Sequence, residues 1–245
     1  MPRFIPDWSA ALCVLLLLSV TVLPGAALAQ APSEYDLKLR EQHLLVTDRH
    51  MVGYVERVLE RLHKVRPAGA GRLSLSLVKS DVPNAFTTGN GFIYVYSGLL
   101  KVFQNEAELA LILGHEIAHG DMRHIDQKKR GGQLLDLARN STILFGKMLE
   151  VGFLGFGRLQ ERAADLRGLR YIIKAGYDPE YAAQSLHRLG ALGKESLAGY
   201  WQRTHPLSAA RYFYVSKLAQ LANRRSKGGR IGAEDYQKFV LNRLR

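Results

Sequence analysis

Hydrophobic positions along this chain keep two different periods. In "RHMVGYVERVLERLHKV", Met51, Val52, Val55, Val58, Leu59 and Leu62 recur every three or four residues. That spacing predicts an amphipathic helix, with Thr47 or Asp48 as its cap and Pro67, Gly69 and Gly71 ending it. "RLSLSLV" (Arg72–Val78) alternates instead, as a half-buried strand does. "NAFTT" (Asn84–Thr88) and "FIYVY" (Phe92–Tyr96) flank Gly89-Asn90-Gly91 and predict a hairpin. Ser97 is expected to cap a short helix, and Asn105 the next, with Glu108 in the capping-box position. From Glu106 to about residue 128 the chain is apolar on nearly every side, which places that helix at the centre of a domain. A further helix is predicted over about 158–174, one from Arg211 to about Ala222, and a last one near Ala233–Leu244. The pattern predicts an α+β fold, mainly helical, with about three strands packed beside the central helix.

The chain has 245 residues, 47% of them hydrophobic, which is enough for one well-packed domain. Its formal net charge of +12 favours anionic partners. The first residues narrow that choice. Arg3, the apolar run "ALCVLLLLSVTVL", Pro24-Gly25 and the small-x-small site Ala27-Leu28-Ala29 read as a signal peptide over residues 1–29. The alternative is a retained anchor. With the signal peptide cleaved, Gln30 would begin a domain over 30–245 in the periplasm or another extracytoplasmic space. The single cysteine, Cys13, lies in the leader, so the mature domain needs no disulfide. Export argues for contact with a membrane surface rather than with nucleic acid.

The chemistry centres on "GHEIAHG". On a helix, His115 and His119 lie one turn apart on one face, close enough to grip one ion. Glu116 is turned by about 100° and can reach a water held there without ligating the metal. A lone buried histidine is more often simply hydrogen-bonded. Two histidines and a glutamate on a buried helix would be costly without a metal. A tetrahedral zinc needs a third protein ligand, and "RLQERAADLRGLRYI" offers Glu161, with Asp165 one turn on to fix a ligand histidine's tautomer. His124, five residues past His119, would point away on a straight helix and is left out of the site.

Four blocks, "PNAFTTGNGFIYVYSGLL", "NEAELALILGHEIAHGDMRH", "QERAADLRGL" and "THPLSAAR", span Pro83 to Arg211. In this order they resemble the zinc metallopeptidases that include the CAAX prenyl endopeptidases, HtpX-type membrane proteases and periplasmic BepA- and LoiP-type proteases. The resemblance implies a gluzincin-like domain holding one zinc through His115, His119 and Glu161, with Glu116 as general base. It also draws in His205, as an active-site residue that can occupy the metal's fourth position at rest, and Arg211. Arg211 or a protonated His205 is expected to help at the developing oxyanion. Unfolded or misassembled polypeptides are the expected substrates, added alongside Asn84, Ala85 and Phe86 at a sheet edge. The segment 134–157 reads equally as a mobile cover or as a core helix with a loop. The tail after Arg211 is too short for a tetratricopeptide array. A catalytically latent, chaperone-like binder is the alternative function. A purely structural zinc site fits less well, because cysteine ligands are absent and a base adjoins the metal face.

Overall fold

A computed structural model describes residues 33–130, 156–193, 200–206, 209–226 and 228–244. The proposed leader (1–29) and nearly all of the 134–157 segment lie outside them. Pro32–Arg245 forms one compact unit. Its helices are α1 (Glu34–Glu41), α2 (Arg49–Lys64), α3 (Ser97–Val102), α4 (Glu106–Asp121), α5 (His124–Arg130), α6 (Arg158–Lys174), α7 (Pro179–Ala191), α8 (Tyr200–Thr204), α9 (Ala209–Ser226) and α10 (Ala233–Phe239). The last helix, predicted to reach Leu244, ends at Phe239, and a separate 3-10 turn follows at Leu241–Arg243.

The three strands are β1 (Ser74–Val78), β2 (Ala85–Gly89) and β3 (Phe92–Tyr96), in the order β1-β3-β2. β2 and β3 form the expected hairpin, with a bulge between Thr87 and Gly89. β1 pairs parallel to β3. The middle strand is buried on both faces, and its side chains sort by period two. Ile93 and Val95 join Leu77 and Ala85 in the main core under α2 and α4. Phe92, Tyr94 and Tyr96 face the other way, with Phe86, Tyr35 and Leu39. α1 closes that second face. Its Asp36 accepts hydrogen bonds from the Ser76 and Tyr94 hydroxyls, and Tyr35 meets Tyr94 edge-on at 4.7 Å.

The apolar α4 is buried along nearly its whole length. Asn105 caps it as expected, its side chain accepting from Glu108 N at 2.9 Å. Glu108 accepts in return from Gln104 N and from the Asn105 side-chain amide, not from the backbone N–H of the cap. Ser97 caps nothing, because its hydroxyl is taken by Ser80 across the turn and α3 starts at Ser97 instead. α4 also stops earlier than its pattern predicts. Met122 and Arg123 form a left-handed turn (Arg123 φ 53°), with Arg123 N bonded to Gly120 O at 2.9 Å, and α5 begins at His124.

α4 crosses α6 at two glycines. A Cβ on Gly168 would lie 2.9 Å from His115 N and 3.0 Å from the Gly114 carbonyl carbon, so only glycine admits this approach. Gly168→Ala should therefore destabilise the protein by about 1–3 kcal/mol. Gly53→Ala, whose Cβ meets only the tip of Arg57 at 3.7 Å within α2, should raise stability by up to about 1 kcal/mol. Urea denaturation of the two variants beside wild type checks both signs.

Candidate metal centre

The crossing sets one face of α4 against one face of α6. On α6, Glu161, Asp165, Gly168 and Ile172 follow the i, i+4, i+7, i+11 line, and all four are buried. On α4, His115 and His119 project beside Gly114. The Nε2 atoms of these two histidines are 2.9 Å apart. Glu161 Oε1 lies 3.4 Å from His119 Nε2, and Glu161 Oε2 lies 3.6 Å from His115 Nε2. His205, just after α8, brings Nδ1 to 3.2 Å from both His115 Nε2 and Glu161 Oε1.

These four side chains, all buried, present one ligand atom each within 4.8 Å of one another. An ion about 2.0–2.1 Å from each of four tetrahedral ligands would set them about 3.3 Å apart. The separations of 2.9–3.6 Å bracket that edge. Among the described residues Glu161 Oε2 lacks a hydrogen bond of good geometry, as do both oxygens of the fully buried Glu116. Lone pairs converging without enough protons between them fit a zinc ion.

Residues 50–219 match the model of Peptidase family M48. The chain belongs to this zinc-dependent peptidase family. It is 33% identical over 182 residues to "Mitochondrial metalloendopeptidase OMA1" of Arabidopsis thaliana, covering 65% of this chain and 35% of that protein. To the OMA1 of Schizosaccharomyces pombe it is 33% identical over 168 residues, covering 64% and 50%. To the "Beta-barrel assembly-enhancing protease" of Escherichia coli (strain K12) it is 25% identical over 236 residues, covering 86% and 46%. The chain thus spans about a third to a half of the length of these curated relatives.

Around the M48 site each group has a second partner. Asp165 Oδ1 accepts from His115 Nδ1 at 3.0 Å, which leaves Nε2 for the ion. Arg211 grips Asp165 with two bonds of 2.8 and 2.7 Å, reaches Glu161 through Nη1, and donates to Pro206 O at 3.0 Å. The expected oxyanion helper thus faces the two carboxylates of α6 and the His205 loop, because two buried anions there require a cation. Tyr214 adds a further bond to Asp165. His205 Nε2 is 3.4 Å from Glu116 Oε1.

Three contributors escaped the sequence reading. The turn at 122–123 swings His124 back under α4, and its Nδ1 lies 2.9 Å from His119 Nδ1, contrary to the straight-helix expectation. Trp201 stacks on His205 at 4.1 Å; its place four residues ahead on a helical turn was the available signal. Phe156 stacks on His119 at 3.7 Å, and its N–H donates to Thr204 O. Nothing in the sequence around Phe156 marks it out. Asn84, Ala85 and Phe86 are where the hairpin predicted them, next to edge strand β2, with Ala85 and Phe86 on it. Their side chains are all buried.

Burial pushes the Glu116 carboxyl up, against the pull of His205 and His115. Burial also opposes ionisation of Glu161, yet His205, His119 and His115 hold it far below the usual carboxylate range. His119 is driven well down by burial and by the charge of His115. Burial opposes a proton on His115 too, but Asp165, Glu161 and Glu116 raise its affinity for one. A proton there and a dication beside it are alternatives, so metal binding would release it.

Asp165 resists burial through His115 and Arg211, which lower its pKa from 3.8 to about 2. A depressed folded value adds stability that is complete above the unfolded value and lost as pH falls through the folded one. In metal-free protein, the stability gap between wild type and Asp165→Asn should be full above pH about 4 and close toward pH about 2. Urea midpoints across that range measure it.

Proposed function

We propose that the chain is an exported zinc-dependent endopeptidase acting on unfolded or misassembled envelope polypeptides. The observation that carries this reading is the convergence of His115, His119, Glu161 and His205 ligand atoms beside a fully buried Glu116. M48 membership and the relatives' printed names support it. His115, His119 and Glu161 would hold one zinc, with Asp165 fixing the His115 tautomer. Bound zinc would polarise a scissile carbonyl and acidify water. Glu116 would take the proton from the attacking water and pass it to the departing amine. Arg211 is a positioning residue in this scheme, holding Glu161 and Asp165 in place. The edge at Asn84, Ala85 and Phe86 would align an extended substrate by main-chain hydrogen bonds. Its reliance on main chain favours unfolded segments over compact domains.

Contact with an anionic membrane surface belongs to the same reading. The net charge of +12 supports it, as do Leu159 and Phe213, 83% and 71% exposed, near Arg158, Arg162 and Lys217 in sequence. Among the described residues no helix is long and apolar enough to cross a membrane.

His205 favours a second, latent state. Its Nδ1 lies in the ligand cluster and its Nε2 faces Glu116, so one ring would fill the water's position and engage the base. A permanently seated His205 would make the protein a chaperone-like binder that uses the same groove.

Zinc-loaded protein should cleave casein, and Glu116→Gln should lose roughly 10²–10⁴-fold in rate while still binding zinc. Equal cleavage by both would remove Glu116 from the mechanism. His205→Ala should raise casein cleavage if the ring is a plug that must leave. Loss of cleavage in that variant, with zinc still bound, would make His205 part of the working site.

A further inference from the structure

His119 is held differently from its partner ligand. His115 backs onto a carboxylate, whereas His119 backs onto another imidazole, His124, at 2.9 Å. We propose that His124 is the positioning residue for His119, accepting its Nδ1–H and so turning its Nε2 lone pair toward the metal. This rests on the reading of His119 as a metal ligand.

The ligand atom of His119 is identified by distance, since Nε2 faces His115 Nε2 and Glu161 Oε1. A neutral imidazole that offers Nε2 to a metal carries its proton on Nδ1. The His119 side chain is buried, so that N–H requires an acceptor within the protein. His124 Nδ1 is at that position, and it can accept only as the neutral tautomer protonated on Nε2. Phe156, stacked on the His119 ring at 3.7 Å and 21°, fixes the plane in which this bond is made.

Local backbone geometry permits this contact. Five residues along an unbroken helix, His124 would be rotated by about 140° from His119. Instead the chain leaves α4 after Asp121, and Arg123 takes a left-handed conformation that a non-glycine residue rarely adopts. The following α5 then starts with His124 buried against His119.

The test compares two replacements. In His124→Asn the amide oxygen can stand where Nδ1 stood and still accept the bond. His124→Leu fills similar space and accepts nothing. Zinc affinity, by competition with a chromophoric chelator, should fall about 10–100-fold in the leucine variant. The asparagine variant should recover most of that loss, with the two metal-free variants similar in urea stability. Equal affinity in wild type and His124→Leu overturns the proposal, as does an equal loss in both variants.

Histidine ¹⁵N shifts of wild-type zinc protein give a readout that no variant's folding can spoil. They should report a protonated Nδ1 on His119 and a protonated Nε2 on His124. The reverse tautomer on His124 overturns the assignment. Wild-type protein that binds no zinc would instead bring down the metal reading on which the proposal depends.

Discussion

Two backbones touch where α4 crosses α6, and the metal centre hangs on that contact. With no Cβ on Gly114 or Gly168, the helices approach until their main chains meet. His115 follows Gly114 directly, and Asp165 lies one turn before Gly168. Glu161 lies one turn earlier still. An α6 lifted by the width of one methyl group would carry its carboxylates away from the imidazoles, and separations of 2.9–3.6 Å leave little room for that. The chain accepts the conformational cost of glycine within two helices to obtain this distance.

Around that contact, charge is arranged in alternating order. Glu161 and Asp165 are both buried anions, and Arg211 touches both while also holding the carbonyl of Pro206. The loop that carries His205 is therefore tied to the helix that carries Glu161. Trp201 braces the same loop from the other side by stacking on His205. Burial pushes both Glu116 and Glu161 up, yet Glu161 ends far below the usual carboxylate range because His205, His119 and His115 act on it together. Two carboxylates thus take different protonation habits within one cluster, as the proposed division between a ligand and a base requires.

Much of this was legible in the sequence, for local reasons. Caps, the hairpin around Gly89-Asn90-Gly91, the buried character of α4 and the i, i+4 pairs His115/His119 and Glu161/Asp165 all follow from short-range rules. What was not legible depends on contacts between distant segments. The parallel pairing of β1 with β3 has no local marker. Ser97 reads as a helix cap, yet Ser80 competes for its hydroxyl and wins. The break after Asp121 falls on Met122 and Arg123, neither of which announces a turn, and Gly120 reads as part of the helix, so the 106–128 pattern reads as one helix and His124 as a bystander. Arg211 looks like a cation free to meet substrate until Asp165 and Glu161 are placed beside it.

At its other end α4 starts with Glu106, a buried carboxylate that accepts hydrogen bonds from Tyr54, Tyr177 and Arg230. Those three donors come from α2, from the approach to α7 and from the chain ahead of α10. Sliding α4 along its axis by a single residue would carry the carboxylate about 1.5 Å and strain all three bonds together. The helix is therefore locked in axial register by parts of the chain that never approach the metal. Any movement that admits a peptide must then belong to the elements facing α4, with the histidine pair as the stationary reference.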